Sequence, residues 1–466
     1  MVNFILSLIR SALLRLSVRW QRSSGVRRLE LWDLKINDKG HLAVQGMDAV
    51  ELVSKFDSPL LVVNKEKLMT DVEALKSAFA RAPEGSRILY SYKTNCVPGI
   101  LKAMHEVGLG AEVISPYELW LAVKLGVPGE MILYNGVDKS DESLELAVRI
   151  GVFCINIDHV GEIERIRSIA ERVGSKANVG VRLALSARSQ FGLDIESGEA
   201  LDACKRILAL PQSFDLRCIH VHLTSNAKDA STHRGFATRA LRFARDLKSS
   251  TGYCIPYLDL GGGFGVPTTK NMTGAEYGIY RLFGVLPRPP RLEEAQHVAE
   301  FMRDLVDAVE QTCGELQIDV PRLIIEPGRL ATSRAEFLLA RVHAIKERDN
   351  GPLFAITDAG RLSLTFPCDF EYHEVFVAGR PTAALDTLYD VTGRVCTSAD
   401  WMFRNRLLPK LQAGDVLAVM DAGAYFSSYS TNFAFPRCAI VMVDAGNASV
   451  IRGAETFEHL TALDRY

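Results

Sequence analysis

Residues 88–95 read ILYSYKTN, an apolar run of strand-forming side chains that ends in a lysine and two more polar residues. A run without apolar and polar alternation predicts a strand covered on both faces, as in a parallel sheet. Lys93 would then lie at the carboxyl end of a buried strand, where an amine loses hydration and becomes nucleophilic. For Lys93 taken alone, a side chain that extends into solvent is an equal alternative.

Seven similar runs follow, each separated from its neighbour by a segment of helical period, such as Ile163, Ile166, Ala170 and Val173. The eight candidate strands are 88–93, 110–115, 131–136, 153–158, 179–185, 218–223, 257–263 and 322–327. Eight β-then-α units predict an α/β fold, a closed (β/α)8 barrel. An open doubly wound sheet is the alternative, because a strand count does not prove closure.

Beyond residue 340 the pattern changes to strands without intervening helices. Candidate strands at 353–358, 387–395, 416–426, 439–443 and 450–452 predict an all-β C-terminal domain over residues 341–466. The barrel would then occupy residues 55–340. Residues 30–54, with strand character at 42–44, would join the β domain, and the proline-rich stretch 266–293 is predicted to be an active-site loop.

Residues 1–29 form a separate N-terminal extension with several arginines and no acidic side chain. Its apolar residues fall near helical spacing, which predicts a basic amphipathic helix too short in apolar length to span a membrane. Two interpretations stay open. The helix lies on anionic lipid or on a partner protein, or it packs on the protein's own second domain or on a dimer mate.

The chain has 466 residues, with 54 Lys and Arg against 56 Asp and Glu, and a formal net charge of -2. This balance gives no electrostatic reason to expect nucleic acid, and favours a small-molecule substrate. The nine cysteines include no Cys-x-x-Cys pair, which argues against a disulfide framework and a structural zinc site, so no metal is expected. Cysteine usage predicts a reducing, cytoplasmic compartment.

A barrel of this type gathers the side chains at the carboxyl ends of its strands into one site. Those ends carry an amine, carboxylates, an imidazole, a glycine run and a guanidinium, from Lys93, Glu112, Glu326, His222, residues 261–265 and Arg329. The glycine run departs from a dinucleotide fingerprint, but its bare amides suit a phosphate. An amine for a Schiff base, phosphate donors, a flat ring and an acid for a ring nitrogen together indicate pyridoxal phosphate.

Nine motifs resemble, in order, those of the fold-type III pyridoxal-phosphate decarboxylases, which have an alanine-racemase-like barrel and include diaminopimelate and ornithine decarboxylases. They are YKTN (92–95), ISPYE (114–118), NGVDKS (135–140), QFG (190–192), HLTS (222–225), GGGFG (261–265), EPGR (326–329), GRVCTSAD (393–400) and DAGAY (421–425). The resemblance covers about residues 30–455. It identifies the chain as a member of a group of amino-acid decarboxylases.

The resemblance implies a role for each matched residue. Lys93 would form the Schiff base, His222 would stack on the cofactor ring, and Glu326 would pair with the ring nitrogen. Glu112 stands where aspartate is usual, and Arg182 would pair with it. The phosphate would be held by Ser225, Gly262, Gly263, Arg329 and Tyr425. The family works as a homodimer with shared sites, in which the loop containing Cys396 completes the partner's site and protonates the carbanion after carbon dioxide leaves.

Departures from the family pattern concern the substrate end of the site. Thr397 follows Cys396 where an acid would bind a distal ammonium, and Arg394 stands where proline is common. They predict an amino acid or conjugate without a free distal ammonium, as in siderophore or other natural-product biosynthesis. Asp400 and Phe433 are further candidate substrate contacts, and Asp400 or Asp369 is the acid that would reach a distal ammonium if the substrate carries one. A usual Arg-Pro pair is replaced at residues 365–367. The alternatives are diaminopimelate decarboxylase in lysine biosynthesis, an amino-acid racemase, and a non-catalytic homologue that binds a partner.

Overall fold

The computed structural model describes residues 2–186, 188–222, 224–349, 352–364 and 367–465. The chain divides into two compact units. One, here called the barrel unit, consists of Val72–Gly265 and Gln296–Ala331. The other, here called the β unit, consists of Met1–Asp71, Val266–Ala295 and Thr332–Tyr466. The sequence predicted that the chain leaves the barrel once, at residue 340. In the structure the chain enters and leaves the barrel unit twice.

The strands in chain order are β1 Leu34–Ile36, β2 Leu42–Val44, β3 Met47–Asp48, β4 Leu60–Asn64, β5 Arg87–Ser91, β6 Gly110–Val113, β7 Ile132–Tyr134, β8 Cys154–Ile157, β9 Ala177–Ala184, β10 Leu193–Asp194, β11 Phe214–His220, β12 Tyr257–Asp259, β13 Lys270–Asn271, β14 Arg322–Ile325, β15 Glu336–Lys346, β16 Leu353–Thr357, β17 Glu371–Tyr372, β18 Val375–Val377, β19 Thr387–Thr392, β20 Trp401–Leu408, β21 Val416–Val419, β22 Ala439–Asp444 and β23 Asn447–Arg452. The helices are α1 Val2–Arg22, α2 Ala49–Phe56, α3 Lys65–Phe79, α4 Pro98–Glu106, α5 Pro116–Lys124, α6 Asp141–Arg149, α7 Gly161–Val173, α8 Glu199–Leu208, α9 Ser231–Thr251, α10 Gly274–Phe283, α11 Val298–Leu316, α12 Arg329–Thr332, α13 Arg361–Leu364, α14 Pro367–Phe370, α15 Phe426–Tyr429 and α16 Phe457–Thr461.

The barrel unit contains a closed parallel barrel in the order β9, β11, β12, β14, β5, β6, β7, β8. Closure is made by the pairing of β8 with β9, in which Ile155 lies opposite Val179. The short strand β10 adds to β9 outside this ring. All eight predicted strands are present, and the closed-barrel prediction is confirmed over the open sheet.

The helices of the barrel follow the predicted apolar spacing. On α7, the side chains of Ile163, Ile166, Ile169 and Ala170 are buried on one face. The helix ends at Gly174, whose φ of 73° suits a residue without a side chain. Burial of one stripe per helix against the sheet explains why the period of the sequence predicted these elements.

The β unit is organised around a sheet in the order β20, β19, β16, β15, β4, β22, β23, with β21 pairing with both β15 and β18. Strand β4 lies inside this sheet, antiparallel to β15 and parallel to β22. The sequence placed residues 60–64 in the barrel domain. All five residues of β4 are buried, and a continuous apolar run suits a central strand of either sheet.

Residues 266–293, predicted to be a loop, contain β13 and α10. Helix α10 begins with a capping box, in which Thr273 and Glu276 each bond the other's backbone amide. It ends at Gly284, whose φ is 67°. The prolines that suggested a loop all lie outside the helix, so they mark its surroundings and not its interior.

The N-terminal helix α1 packs on other parts of the β unit. Ser17 donates from Oγ to the carbonyl of Leu286 at 3.0 Å. Gln21 donates to the carbonyl of Asn405 at 3.2 Å and accepts from the amide of Leu407 at 2.8 Å. Both side chains are buried, which favours the packed interpretation for this face of the helix.

Other apolar side chains of α1 face solvent, among them Leu8, Ile9 and Leu16. Among the helices of the described residues, none combines the length and the apolar composition that a membrane crossing requires. Contact of this exposed side with lipid or a partner stays a prediction.

The buried Arg406 and the partly buried Arg27 share one buried carboxylate in the β unit. Oε1 of Glu374 accepts from Arg27 at 3.0 Å and from Arg406 at 2.6 Å. Its Oε2 accepts from the hydroxyls of Tyr372 at 3.1 Å and Ser24 at 3.3 Å. Arg27 and Ser24 belong to the N-terminal segment, so their bonds to Glu374 also anchor that segment to the sheet.

Glu374→Gln is expected to lower the free energy of unfolding by about 3 to 5 kcal/mol, because the buried guanidinium of Arg406 and the partly buried one of Arg27 would lose their counter-charge. The measurement is urea unfolding followed by tryptophan fluorescence. The matched control is Glu455→Gln, which removes a more exposed ion pair to Arg437 and should cost less than about 1 kcal/mol. Equal, small effects for the two variants would contradict the prediction.

Candidate active site

Lys93 lies just beyond the carboxyl end of β5, in a short 3-10 turn over Tyr92–Thr94. Its Nζ donates to Oε2 of Glu112, at the corresponding point of β6, at 3.0 Å. Burial opposes ionisation of Glu112, but Lys93 and donors from Ser91 and Asn135 hold the pKa of this carboxyl below its ordinary value. The amine is therefore held beside a buried carboxylate, although 32% of the Lys93 side chain is exposed.

The turn that carries Lys93 is held by a hydrogen bond between Tyr92 and His105. Tyr92 Oη lies 2.6 Å from His105 Nε2, and His105 Nδ1 lies 2.8 Å from the carbonyl of Leu109. Because a carbonyl only accepts, Nδ1 carries the ring proton and Nε2 accepts from the tyrosine. Burial lowers the pKa of His105, so this pair is neutral and holds the backbone of Lys93 in place.

A second carboxylate, Glu326, lies at the carboxyl end of β14 and is buried. The amide of Asn135 donates to Oε1 of Glu326 at 2.6 Å and to Oε1 of Glu112 at 2.9 Å. Asn156 orients this amide by donating to its oxygen at 2.8 Å. Burial, followed by the charge of Glu112, raises the pKa of Glu326 to about 7. A cationic ring nitrogen placed there would restore its ionised form.

Glu326 is surrounded by two further titratable groups that the sequence analysis did not single out. Asp259, His220 and Glu326 each bring one polar atom to within 4.8 Å of the others. Burial raises the pKa of Asp259 well above its ordinary value and lowers that of His220 well below it. Burial therefore favours the uncharged form of both groups beside Glu326.

The glycine run after β12 brings backbone closer to its neighbours than any side chain would permit. A Cβ on Gly262 would lie 2.2 Å from the carbonyl oxygen of Glu326. A Cβ on Gly263, whose φ is 84°, would lie 2.2 Å from that of Thr224. A glycine backbone without side chains can present its amides to an anion, which fits the role of a phosphate cradle.

The ring of His222 lies against this cradle. Its Nδ1 accepts from the amide of Gly262 at 3.0 Å. Burial, with a smaller contribution from the charge of Lys93, lowers the pKa of His222 to about 3. The ring is thus neutral and flat, as a group that stacks on a cofactor should be. The Gly262 amide already donates its hydrogen bond to this ring.

Arg182 does not pair with Glu112 as the sequence predicted. The oxygens of Glu112 are taken by Ser91, Lys93 and Asn135. The Arg182 guanidinium lies 3.7 Å from Asp158 and 4.6 Å from the ring centre of Phe191. Of the other predicted cofactor contacts in the barrel unit, Arg329 is buried at the start of α12 and Ser225 is exposed.

In the β unit, the predicted proton donor Cys396 is exposed in the loop between β19 and β20. Asp400 accepts from the amides of Val395 at 2.7 Å and Arg361 at 2.9 Å, so its carboxylate holds this loop instead of standing free for a substrate. Thr397 caps the same turn by accepting from the amide of Ala399. The loop is therefore shaped by its own polar groups.

The remaining candidates for substrate contacts, Arg394, Phe433 and Asp369, have different surroundings. Arg394 lies with its guanidinium 4.2 Å from the ring centre of Phe435, and Phe433 is 66% exposed. Asp369, considered as an acid for a distal ammonium, forms a bidentate pair with Arg361 at 2.8 and 2.5 Å. The replacement at residues 365–366 lies outside the described residues.

Asp421 is the first residue of the DAGAY motif that contains Tyr425, and the sequence analysis gave it no role. The Asp421 carboxylate accepts from Trp32 Nε1 at 3.1 Å, Thr268 Oγ1 at 2.7 Å and Ser333 Oγ at 3.1 Å. Three neutral donors on one buried carboxylate fix the position of Asp421, whose own φ is 61°.

Comparison with known proteins gives a consistent result. Residues 66–333 match the family described as pyridoxal-dependent decarboxylase, pyridoxal binding domain. Diaminopimelate decarboxylase from Methanothermobacter thermautotrophicus is 31% identical over 440 residues, which cover 92% of this chain and 96% of that protein.

Solved structures resemble the chain to a similar extent. Diaminopimelate decarboxylase from M. jannaschii, in complex with L-lysine, superposes with a TM-score of 0.81 at 29% identity, over 93% of this chain and 98% of that one. AQ1208 from Aquifex aeolicus superposes with a TM-score of 0.80 at 29% identity, over 94% of this chain and all (100%) of that one.

Proposed function

This chain belongs to the pyridoxal-dependent decarboxylase family, and on that premise we propose that it removes an α-carboxylate from diaminopimelate or an amino acid closely similar to it. The observation that carries the chemistry is the line of contacts from Lys93 through Glu112 and Asn135 to Glu326. It sets a buried acid and an amine on neighbouring strand ends of one barrel.

The residues present fit pyridoxal phosphate, the cofactor of this enzyme family. Lys93 would attach its aldehyde, Glu326 would face its ring nitrogen, His222 would cover its ring, and Gly263 with Arg329 would hold its phosphate. The bound cofactor supplies an electron sink for the pair left behind when carbon dioxide departs. Glu326 would stabilise a proton on the ring nitrogen, because two opposite charges in a buried site favour each other's ionised form.

The choice of substrate differs from the main sequence prediction. The hydroxyl of Thr397 in place of an acid predicted a substrate without a distal ammonium, whereas the relatives that the chain matches over nine-tenths of its length are named diaminopimelate decarboxylases. They support the alternative. A single side chain on an exposed loop is weaker support for a substrate than similarity along the whole chain.

The two other rivals lack support of this kind. A racemase would need a second base at the substrate's α-carbon and gains from a weak electron sink, whereas an acid at the ring nitrogen strengthens the sink. A non-catalytic homologue has no use for an amine held 3.0 Å from a buried carboxylate. We propose further that two chains form a homodimer, with the Cys396 loop of one completing the site of the other.

The substrate assignment is tested by carbon dioxide release from meso-diaminopimelate, lysine, ornithine and an acid-tailed amino acid such as glutamate. Diaminopimelate is expected to give the highest kcat/KM. The matched variant is Thr397→Glu, which restores the acid of the family pattern. A higher kcat/KM on glutamate than on diaminopimelate, reversed by Thr397→Glu, would contradict the assignment while leaving the decarboxylase chemistry intact.

A further inference from the structure

The peptide groups around Gly262 are held from two sides by two imidazole rings. The Gly262 amide donates to Nδ1 of His222 at 3.0 Å. The Gly262 carbonyl lies 2.8 Å from Nε2 of His233, which lies in the first turn of α9. His222 has a role in the proposed function, whereas His233 belongs to none of the motifs that indicated the site.

The surroundings of His233 fix both its position and its proton. The ring is 1% exposed. It stacks on Phe264 at 4.7 Å with an interplanar angle of 14°, and Phe301 meets it edge-on at 5.3 Å. Because the Gly262 carbonyl only accepts, Nε2 carries the ring proton. Burial lowers the pKa of His233, so the ring is neutral, with its proton aimed at one carbonyl.

Holding that carbonyl also sets the direction of the next amide. In a trans peptide the carbonyl oxygen and the following N–H point to opposite sides. With the Gly262 carbonyl directed at His233, the Gly263 N–H is directed away from it. Two backbone bonds support the same geometry, since Ala227 donates to the carbonyl of Gly263 and accepts from the amide of Gly265, each at 2.9 Å.

We propose that His233 is a positioning residue for cofactor binding, which aims the Gly263 amide at the phosphate and keeps the Gly262 amide on His222. Of the two glycines predicted to bind phosphate, Gly263 then supplies the donor, since the Gly262 amide is bonded within the protein. The proposal rests on the proposed function only for the use of pyridoxal phosphate. It does not depend on which amino acid is decarboxylated.

Two variants separate the hydrogen bond from the packing of the ring. His233→Phe keeps an aromatic ring against Phe264 and Phe301 but leaves the Gly262 carbonyl buried without a donor. His233→Gln loses the ring but keeps an N–H at similar reach. We expect His233→Phe to weaken retention of pyridoxal phosphate about 10- to 100-fold, and His233→Gln to remain within about threefold of the wild type.

Retention is measured by diluting the holoenzyme and following the absorbance of the Lys93-bound cofactor until it stops changing. Phe301→Leu is the matched control, because it disturbs the same aromatic cluster without touching the Gly262 carbonyl. It should lower the thermal midpoint and leave cofactor retention unchanged. Turnover at saturating cofactor should fall less than retention does in His233→Phe.

Two results would overturn the proposal. One is wild-type retention in folded His233→Phe protein, and the other is equal loss of retention in His233→Gln and His233→Phe. Failure of the proposed function would look different, because the wild type would retain cofactor and release no carbon dioxide from diaminopimelate while the order of retention among the His233 variants stayed as expected.

Discussion

Lys93→Ala is expected to abolish covalent attachment of the cofactor and to lower decarboxylation by at least about a thousandfold, since we propose Lys93 as the amine that binds the cofactor and on which the reaction depends. The structure offers no obvious substitute at this position, because within the described residues the groups contacting Glu112 are Ser91, Lys93 and Asn135, and only Lys93 carries an amine. The loss should appear first in the visible absorbance band of the purified protein.

The control for this change is Lys102→Ala, which removes a lysine whose side chain is 73% exposed and should leave band and rate unchanged. Thermal unfolding without substrate checks that each variant is folded. The shift of the thermal midpoint on adding substrate checks that it binds substrate. A Lys93→Ala protein that keeps both its absorbance band and its rate would exclude Lys93 as the reactive amine and would place that amine on another lysine.

The barrel could be predicted because each of its strands shows its burial in the sequence. Runs such as Leu133, Tyr134 and Ile155, Ile157 are buried on both faces of a parallel sheet and therefore lack polar alternation. The same signal misassigned β4, because a strand buried in the middle of the β unit is equally apolar. Which sheet a buried strand joins depends on distant partners, which a local pattern does not contain.

The site shows the same limit at the level of single side chains. Lys93, His222 and Glu326 stood out because amines, imidazoles and acids are unusual at the ends of apolar strands. Asn135 did not, since an amide becomes informative only when it is seen between the two carboxylates that it bridges. His233 is a clearer case, because its partner is a backbone carbonyl 29 residues away.

The Cys396 loop shows a further limit of local patterns. The sequence predicts Asp400 as a substrate contact because it is an acid in the motif of the predicted proton donor Cys396. In the structure, its two oxygens accept from the amides of Val395 and Arg361. A carboxylate in a loop often serves the loop's own backbone, and this competition is invisible until the fold brings the amides together.

Cys396→Ala is expected to lower formation of the amine product by about 10²- to 10⁴-fold, the range of a lost general acid. Without the thiol, the proton would reach the wrong carbon, and part of the product would leave as a carbonyl compound instead of an amine. Product analysis with the proposed diaminopimelate substrate measures both effects. Cys254→Ala, at another exposed cysteine, is the matched control and should change neither.

The same variant tests the proposal that two chains share their sites. Mixing inactive Lys93→Ala with inactive Cys396→Ala protein should restore about a quarter of the wild-type rate, because half of randomly paired dimers are mixed and each has one intact site of two. Subunit exchange is verified with differently tagged chains. Exchange without any recovery would place Lys93 and Cys396 in the same chain's site, and recovery would require the Cys396 loop to act on the partner's substrate.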